Sequence, residues 1–128
     1  MSVGELYRIC QENAIEVTFT RRHKKGNLPT RRIFCTTNQA LLDSPEGRKF
    51  LNYVNPTKTP PYNAGIKGLV TVWDIFKQGW RNIPAAGCGQ IVTSYPLKSA
   101  LDLKRFWQIF DTRYSKMSEA EKTTFMII

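Results

Sequence analysis

The sequence predicts a mainly β protein of the α+β class, in which a small curved antiparallel sheet of about five strands carries helices at both ends. Two observations lead to this prediction. Short runs rich in β-branched and aromatic residues recur through the middle of the chain, separated by turn residues, while helical spacing of apolar residues marks the two ends. With 128 residues, of which 41% are hydrophobic, the chain can bury a core as one domain over residues 1–128.

The N-terminal part predicts a short helix followed by a hairpin with a long loop. Ser2 and Glu5 have the spacing of a capping box, which predicts a helix over residues 3–13. The run EVTFTR, residues 16–21, alternates apolar and polar side chains and predicts a half-buried strand. The β-branched and aromatic run RRIFCTT, residues 31–37, is its expected partner. The tip of the loop between them contains Gly26, Asn27 and Pro29.

The centre of the chain predicts a second short helix and a surface connection. Ser44 is a candidate N-cap with Pro45 at the first helical position, and Phe50, Leu51 and Val54 would share one helical face. Residues 55–68 contain three prolines and two glycines, a density that indicates a connection without regular structure.

The second predicted hairpin is the stretch LVTVWDIFKQGWRNI, residues 69–83. Strand alternation places Asp74 on one face with Val70, Val72 and Phe76, so that an acid lies among apolar groups. We expect Asp74 to accept hydrogen bonds from turn amides or to pair with Arg81 across the hairpin. Trp80 is expected as a core residue or a cross-strand partner.

The C-terminal part predicts one more short strand and two helices. Residues 90–94 form the expected strand, and apolar residues at helical spacing follow from Lys98. Ser118 and Glu121 again have the spacing of a capping box, which predicts a last short helix.

The charge of the chain points to polyanionic partners. The formal net charge is +9 and the pI is near 9.8, so nucleic acid is the first partner to consider and acidic proteins or nucleotides the second. No acid occurs between residues 17 and 42, where six cations cluster: Arg21, Arg22, Lys24, Lys25, Arg31 and Arg32. Two interpretations remain open at this point, a phosphate-binding hairpin and a solvated hairpin whose charges prevent edge-to-edge aggregation.

The sequence argues against several other classes of protein. Cys10, Cys35 and Cys88 are widely spaced and His23 is the one histidine, so we expect reduced thiols, no metal site and no cofactor. No nucleophile, phosphate-loop or paired-carboxylate motif occurs, and we therefore expect no enzymatic activity. No apolar run approaches the roughly 20 residues of a membrane span, and residues 1–13 lack a signal core, so a cytoplasmic protein is expected.

The two predicted hairpins share a pattern with a known family. The pattern is a VTFTR strand, a loop that contains glycine, an RRIFCTT strand and, after a spacer, the hairpin VWDIFKQGWRNI. Over residues 15–85 this resembles a family of small bacteriophage-encoded proteins described as WYL-like, with an SH3-like or Sm-like β-barrel fold. The matching positions are Val17, Phe19, Thr20, Arg21, Arg31, Cys35, Thr36, Val72, Trp73, Asp74, Trp80 and Arg81.

The resemblance implies a small barrel over residues 15–94 and a viral protein that acts in the cytoplasm of an infected bacterium. The first loop is longer and more basic than in the family, and Pro84 replaces a basic or polar residue. Residues 95–128 have no counterpart there and form a helical C-terminal extension. Apolar residues cover more than half of the circumference of its first helix. Two explanations remain open: deep burial of the helix, or contact with a second copy or a host protein.

We therefore expect a non-enzymatic protein that binds nucleic acid through the basic hairpin and regulates or redirects host processes such as transcription. The expected binding residues are Arg21, Arg22, Lys24, Lys25, Arg31, Arg32, Trp80 and Arg81. Candidate rings for stacking on bases are Phe34, Tyr53, Tyr62, Trp73 and Trp80. The alternative is an anti-defence or host-takeover protein whose arginines bind an acidic host protein or a phosphorylated nucleotide signal.

Overall fold

A computed structural model of the protein describes residues 1–20, 30–54 and 67–125. The helices are α1 (Val3–Glu12), α2 (Gln39–Leu42), α3 (Pro45–Phe50), α4 (Ala100–Ser115) and α5 (Glu119–Phe125). The strands are β1 (Asn13–Thr20), β2 (Thr30–Thr36), β3 (Leu69–Asp74), β4 (Gly79–Pro84) and β5 (Cys88–Pro96). Within the described residues these five strands form one antiparallel sheet in the order β4-β3-β2-β1-β5, which confirms the predicted α+β class.

The serine caps that the sequence predicts for three of the helices are present. In each case the Oγ atom accepts a hydrogen bond from a backbone N–H three residues later, which satisfies a donor that the first helical turn leaves without a partner. The pairs are Ser2 with Glu5 at 3.1 Å, Ser44 with Gly47 at 3.0 Å and Ser118 with Glu121 at 3.1 Å. The single turn α2, which the sequence analysis did not predict, begins in the same way at Asn38.

The predicted apolar face after Ser44 is wrong in part. Helix α3 ends at Phe50, and Asn52 adopts a left-handed conformation with φ of 52°, so the chain turns before a further helical turn can form. Leu51 is buried, whereas Phe50 and Val54 are exposed. The residues of this segment therefore do not share one buried face.

The sheet is covered on both of its faces, which gives the protein two hydrophobic cores. The α1 core lies between the sheet and α1, and the α4 core lies between the other face and helices α2 to α5. The α1 core contains Leu6, Cys10, Ile15, Val17, Phe19, Ile33, Cys35, Val70, Val72, Ile83, Ala85 and Cys88. The α4 core contains Ala14, Phe34, Leu41, Leu42, Leu51, Tyr53, Trp73, Ile75, Leu97, Phe106, Phe110, Met117 and Phe125. Both cores include residues of the two hairpins.

The C-terminal helices are part of this packing. Phe106 and Phe110 of α4 and Phe125 of α5 are buried in the α4 core, whereas Leu101 of α4 is exposed. Burial thus accounts for part of the apolar surplus that the sequence shows in this segment, since Leu103, Trp107 and Ile109 are only partly buried. None of the helices in the described ranges is both long and apolar enough to cross a membrane.

The connection between β4 and β5 requires the sheet to be strongly curved. These strands lie at opposite edges of the five-stranded sheet, which in a flat sheet would be about 19 Å apart. Only three residues separate Pro84 from Cys88, and four extended residues span at most about 14 Å. The sheet must therefore bend until its two edges approach each other.

Two backbone hydrogen bonds hold this turn where the sheet bends. The N–H of Thr20, at the end of β1, donates to the carbonyl of Gly87 at 2.9 Å. The N–H of Ala85 donates to the carbonyl of Gly68, beside the start of β3, at 3.0 Å. The turn therefore joins the end of β1 to the start of the second hairpin.

Gly87→Ala tests how much this junction contributes to stability. A Cβ atom at position 87 would lie 2.7 Å from the backbone oxygen of Thr20, which cannot move without disturbing β1. We expect the substitution to lower the free energy of unfolding by about 1–3 kcal/mol, measured by urea denaturation. Gly4→Ala is the matched control, because nothing lies within 4 Å of a Cβ there. Equal denaturation midpoints for the two variants would contradict the close approach.

Candidate nucleic-acid interface

The basic hairpin is described at its base only. Arg21, Arg22, Lys24 and Lys25 lie outside the described residues. Their attachment to the fold is nevertheless defined, because Thr20 and Thr30 are partners in the β1–β2 ladder. Partners in an antiparallel ladder have Cα atoms about 5 Å apart, so the nine residues 21–29 begin and end at one point of the sheet.

Arg31 and Arg32 lie on opposite faces of β2, since side chains alternate along a strand. Arg32 faces the α4 core, where its Nη2 atom is 3.0 Å from Oε2 of the buried Glu16. Its guanidinium carbon also lies 4.8 Å from the ring centroid of Phe125. Arg31 is half-buried on the side of the α1 core. Arg32 therefore has a structural role in addition to any contact with a ligand.

Sequence reasoning did not single out Glu16. It lies across from Phe34 in the ladder and is the acid on β1, so it meets Arg32 diagonally between adjacent strands. The signal in the sequence was an acid placed among apolar strand residues, the same signal that drew attention to Asp74.

Trp80 and Arg81 lie on opposite faces of β4, which is an edge strand of the sheet. Arg81 pairs with Val72 in the ladder, and its Nη1 atom lies 3.6 Å from Oδ2 of Asp74. Oδ1 of Asp74 accepts a hydrogen bond from the backbone N–H of Lys77 at 3.0 Å. Both interactions expected of Asp74, with a turn amide and with Arg81, are thus confirmed.

The alternation predicted beyond Asp74 is wrong. Strand β3 ends at Asp74, and residues 75–78 form the turn of the hairpin. Phe76 consequently packs against the α4 core, whereas Val70 and Val72 belong to the α1 core.

Three aromatic rings form a cluster beside this hairpin. Trp73 and Trp80 are direct cross-strand partners with ring centroids 5.3 Å apart at 88°. Tyr53 meets Trp73 at 5.2 Å and Trp80 at 5.8 Å, also edge-on. Trp73 is 2% exposed and Trp80 is 39% exposed. Trp80 is thus a cross-strand partner, as predicted, that also presents part of its ring to solvent.

The candidate rings for stacking on bases differ in how far they are buried. Phe34, Tyr53 and Trp73 are buried, so none of them can receive a base without rearrangement of the core. Tyr62 lies outside the described residues. Of the five candidates, Trp80 is the described ring that a base can reach.

A surface cavity of about 380 Å³ lies at the tip of the β3–β4 hairpin. Its lining comes from the end of β3, the turn and the start of β4. The lining residues are Asp74, Lys77, Gln78, Gly79, Trp80, Arg81 and Asn82. The cavity thus combines an acid, two cations and an exposed indole.

Asp74 is the ionisable group of this cavity that the fold perturbs. Burial raises the pKa of its carboxyl above the ordinary value, because the charged form loses hydration. The hydrogen bond from the Lys77 N–H and the charges of Arg81 and Lys77 lower the pKa, but less than burial raises it.

Aromatic contacts connect the base of the basic hairpin with the second hairpin. Phe125 lies against Arg32 of β2, and its ring centroid is 4.9 Å from that of Phe76 in the β3–β4 turn. Phe76 in turn is 5.2 Å from Phe34. Arg32 and the cavity at residues 74–82 therefore lie at the two ends of one packed group of side chains.

The three cysteines, far apart in the sequence, all belong to the α1 core as free, buried thiols. A hydrogen bond with Cys10, burial and nearby negative groups raise the pKa of Cys35, and burial raises that of Cys88 to about 11. The thiolate is the reactive form, so Cys35 and Cys88 are poor nucleophiles. In the described part of the chain, no group of three or more His, Cys, Asp and Glu side chains could hold a metal ion.

Comparison of the chain with models of protein families, with curated proteins and with solved structures finds no match.

Asp74→Asn tests the raised pKa. Because folding raises this pKa, the native state binds more protons than the unfolded chain between about pH 3.9 and the native value. The free energy of unfolding of the wild type should therefore fall as pH rises through that interval, whereas asparagine does not titrate. We expect the stability of the wild type minus that of Asp74→Asn to decrease from pH 4 to pH 7 in urea denaturation. A difference that grows with pH would refute the assignment.

Arg32→Ala tests the buried ion pair. The substitution leaves the Glu16 carboxylate buried without this cation, and we expect it to lower the free energy of unfolding by about 3 kcal/mol. Adding Glu16→Gln should recover much of the loss, because a neutral amide is less costly to bury than a charge. Additive effects of the two substitutions in a double-mutant cycle would show that the pair does not interact.

Proposed function

We propose that the protein binds nucleic acid without enzymatic activity, with the basic hairpin as the main contact for phosphates. The observation that carries this proposal is the pairing of Thr20 with Thr30. It anchors both ends of the segment 21–29, which contains Arg21, Arg22, Lys24 and Lys25 and no acid, at one point of the sheet. Four tethered cations form a concentrated positive field, which attracts phosphates irrespective of base sequence.

Arg32 and Arg81 contribute less directly to binding in this proposal, because each already pairs with a buried acid. Arg32 is engaged by Glu16 and Arg81 by Asp74, so contact with a ligand is a second role for these residues in the proposal. Trp80 and Arg81 form a second contact in this proposal. They line the cavity at residues 74–82, which the rings of Phe125 and Phe76 connect with Arg32. A bound strand would then meet phosphate-binding and base-binding groups in succession.

The finer fold proposed for residues 15–94 is an SH3-like or Sm-like barrel. Three features support it: the strand order β4-β3-β2-β1-β5, the curvature that the β4–β5 turn requires, and the α1 core, to which strands from both edges contribute. The resemblance to the bacteriophage family rests on the same hairpins. In that context the protein would act on nucleic acid in the host cytoplasm and redirect a process such as transcription.

The second candidate function is an anti-defence role, in which the protein binds an acidic host protein or a phosphorylated nucleotide signal. The cavity at residues 74–82 favours the nucleotide version, because it places Trp80, Arg81 and Lys77 around one space. A preformed pocket of this kind would bind a small ligand with defined stoichiometry and little dependence on salt.

Fluorescence anisotropy with labelled single- and double-stranded DNA and RNA tests the main proposal. Four phosphate contacts would lower the affinity roughly 100-fold between about 50 and 200 mM salt. Replacing Arg21, Arg22, Lys24 and Lys25 by alanine should abolish retention while leaving the thermal unfolding midpoint almost unchanged.

The control for this experiment removes the same charge elsewhere. Alanine at Lys49, Lys104, Arg105 and Lys116 takes four exposed cations from α3, α4 and the residue after α4. This variant should retain most of the affinity. The proposal fails if both quadruple variants lose affinity equally, or if the wild type binds no nucleic acid at the lowest salt concentration.

A further inference from the structure

We propose that Arg31 binds a phosphate group of the ligand on the side of the sheet where the α1 core lies, whereas its neighbour Arg32 mainly stabilises the fold. This inference rests on the proposed function and deepens it. It names one phosphate-binding side chain at the base of the basic hairpin and the face of the sheet from which the ligand approaches.

The first observation is the position of Arg31. It follows Thr30, the residue at which the segment 21–29 returns to the sheet opposite Thr20. The ladder partner of Arg31 is Phe19, which is buried in the α1 core, so the sheet fixes the backbone of Arg31. Arg31 therefore supplies a cation at a defined place beside the four cations of the segment.

The second observation is that no acidic side chain of the protein neutralises Arg31. All ten Asp and Glu residues lie in the ranges that the structure describes, so the rest of the chain cannot supply another. The cations that pair with these acids include Arg32, Arg48, Arg81 and Lys98, but not Arg31. The charge of Arg31 is thus available to an anion from outside.

The third observation is the state of the Arg31 guanidinium. The side chain is half-buried, and its Nε–H group is buried without a hydrogen-bond acceptor, which is unfavourable. The described residues give this side chain neither a hydrogen bond nor an ion pair, so the guanidinium can turn toward a ligand without breaking one. A ligand that accepts from it gains an interaction that the fold leaves unmade.

Arg32, the next residue, is held more firmly. Its Nε–H group also lacks an acceptor, but its Nη2 atom donates to the buried Glu16 at 3.0 Å, and its guanidinium carbon lies 4.8 Å from the ring centroid of Phe125. Turning Arg32 toward a ligand would leave the carboxylate of Glu16 buried without this cation, which is strongly unfavourable. Because side chains alternate along β2, the two arginines also lie on opposite faces of the sheet.

Phosphate is the ligand group that this arrangement fits. A guanidinium presents a planar fork of N–H donors, which matches two oxygens of one phosphate. A single carboxylate also offers two oxygens, but the adjoining segment 21–29 adds four cations and no acid, which favours a ligand with several negative charges in succession. A nucleic-acid strand and a free nucleotide both carry such phosphates, and the experiments below distinguish them.

Fluorescence anisotropy with labelled oligothymidine and a labelled DNA duplex tests the role of Arg31 in binding of strands. Arg31→Gln should weaken binding about tenfold at low salt, as expected for loss of a hydrogen bond between charged groups. It should also reduce the slope of log affinity against log salt concentration by about one, because one phosphate contact is lost. Arg31→Lys keeps the charge without the planar fork and should recover part of the affinity.

Two reference variants separate this contact from the general effect of charge. Arg105→Gln removes an exposed cation from α4 and should change the affinity less than about twofold, because distant charges are screened. Glu16→Gln combined with Arg32→Gln removes the neighbouring arginine together with its buried acid, and it should weaken binding less than Arg31→Gln does. An equal or larger loss in this double variant would overturn the distinction between the two arginines. Thermal unfolding checks that each variant folds.

NMR spectroscopy of the full-length protein observes the arginine side chains directly. The Nε–H signal of Arg31 is the one that is absent from the spectrum of Arg31→Gln. Inorganic tripolyphosphate, which carries phosphates without a base, should shift this signal at lower concentrations than it shifts the signal of Arg32. An Arg31 signal that stays in place while signals of other residues move would overturn the inference.

The outcomes distinguish this inference from the proposed function. Salt-dependent binding of strands that is lost when Arg21, Arg22, Lys24 and Lys25 become alanine, but is unaffected by Arg31→Gln, would support the proposed function and overturn the inference. A shift of the Arg31 signal with tripolyphosphate, without any binding of strands, would support the phosphate site and overturn the nucleic-acid proposal. Absence of both effects would overturn both.

Discussion

The three-residue turn between Pro84 and Cys88 is the constraint on which the rest of this structure depends. It links the two edges of a five-stranded sheet, and the sheet must curl for the link to close. The α1 core contains mainly aliphatic side chains and the three thiols, with Phe19 as its one buried aromatic ring among the described residues. Most of the buried aromatic residues and the C-terminal helices lie on the other face of the sheet, where the α4 core forms.

This two-sided burial explains where the charged residues lie. Because both faces of the sheet are covered around β1 and the end of β3, the acids on these two strands are buried. Glu16 and Asp74 are both buried in this way, and each is accompanied by an arginine, Arg32 and Arg81. An isolated buried charge would be strongly unfavourable, so these two arginines stabilise the fold before they contact any ligand.

The same feature sets the limit of what the sequence could predict. Caps such as Ser2 with Glu5 were predicted because the donor and acceptor are three residues apart and need no tertiary contact. The pairing of Glu16 with Arg32 depends on strand register, and the gathering of the cysteines depends on the curl of the sheet. Strand alternation could not decide between Trp73, which is buried, and Trp80, which is partly exposed, because they share one face and differ in distance from the sheet edge.

Partial exposure at an edge strand makes part of the second hairpin accessible from solvent. The basic segment 21–29 can supply attraction to phosphates, but phosphates are the same in every sequence and cannot distinguish one base from another. Selective recognition needs fixed polar groups, and the cavity at the tip of the β3–β4 hairpin is lined by Asp74 and Arg81, which form an ion pair. The interaction of Asp74 with Arg81, which the buried acid requires for stability, thus also fixes the guanidinium of Arg81 beside the cavity.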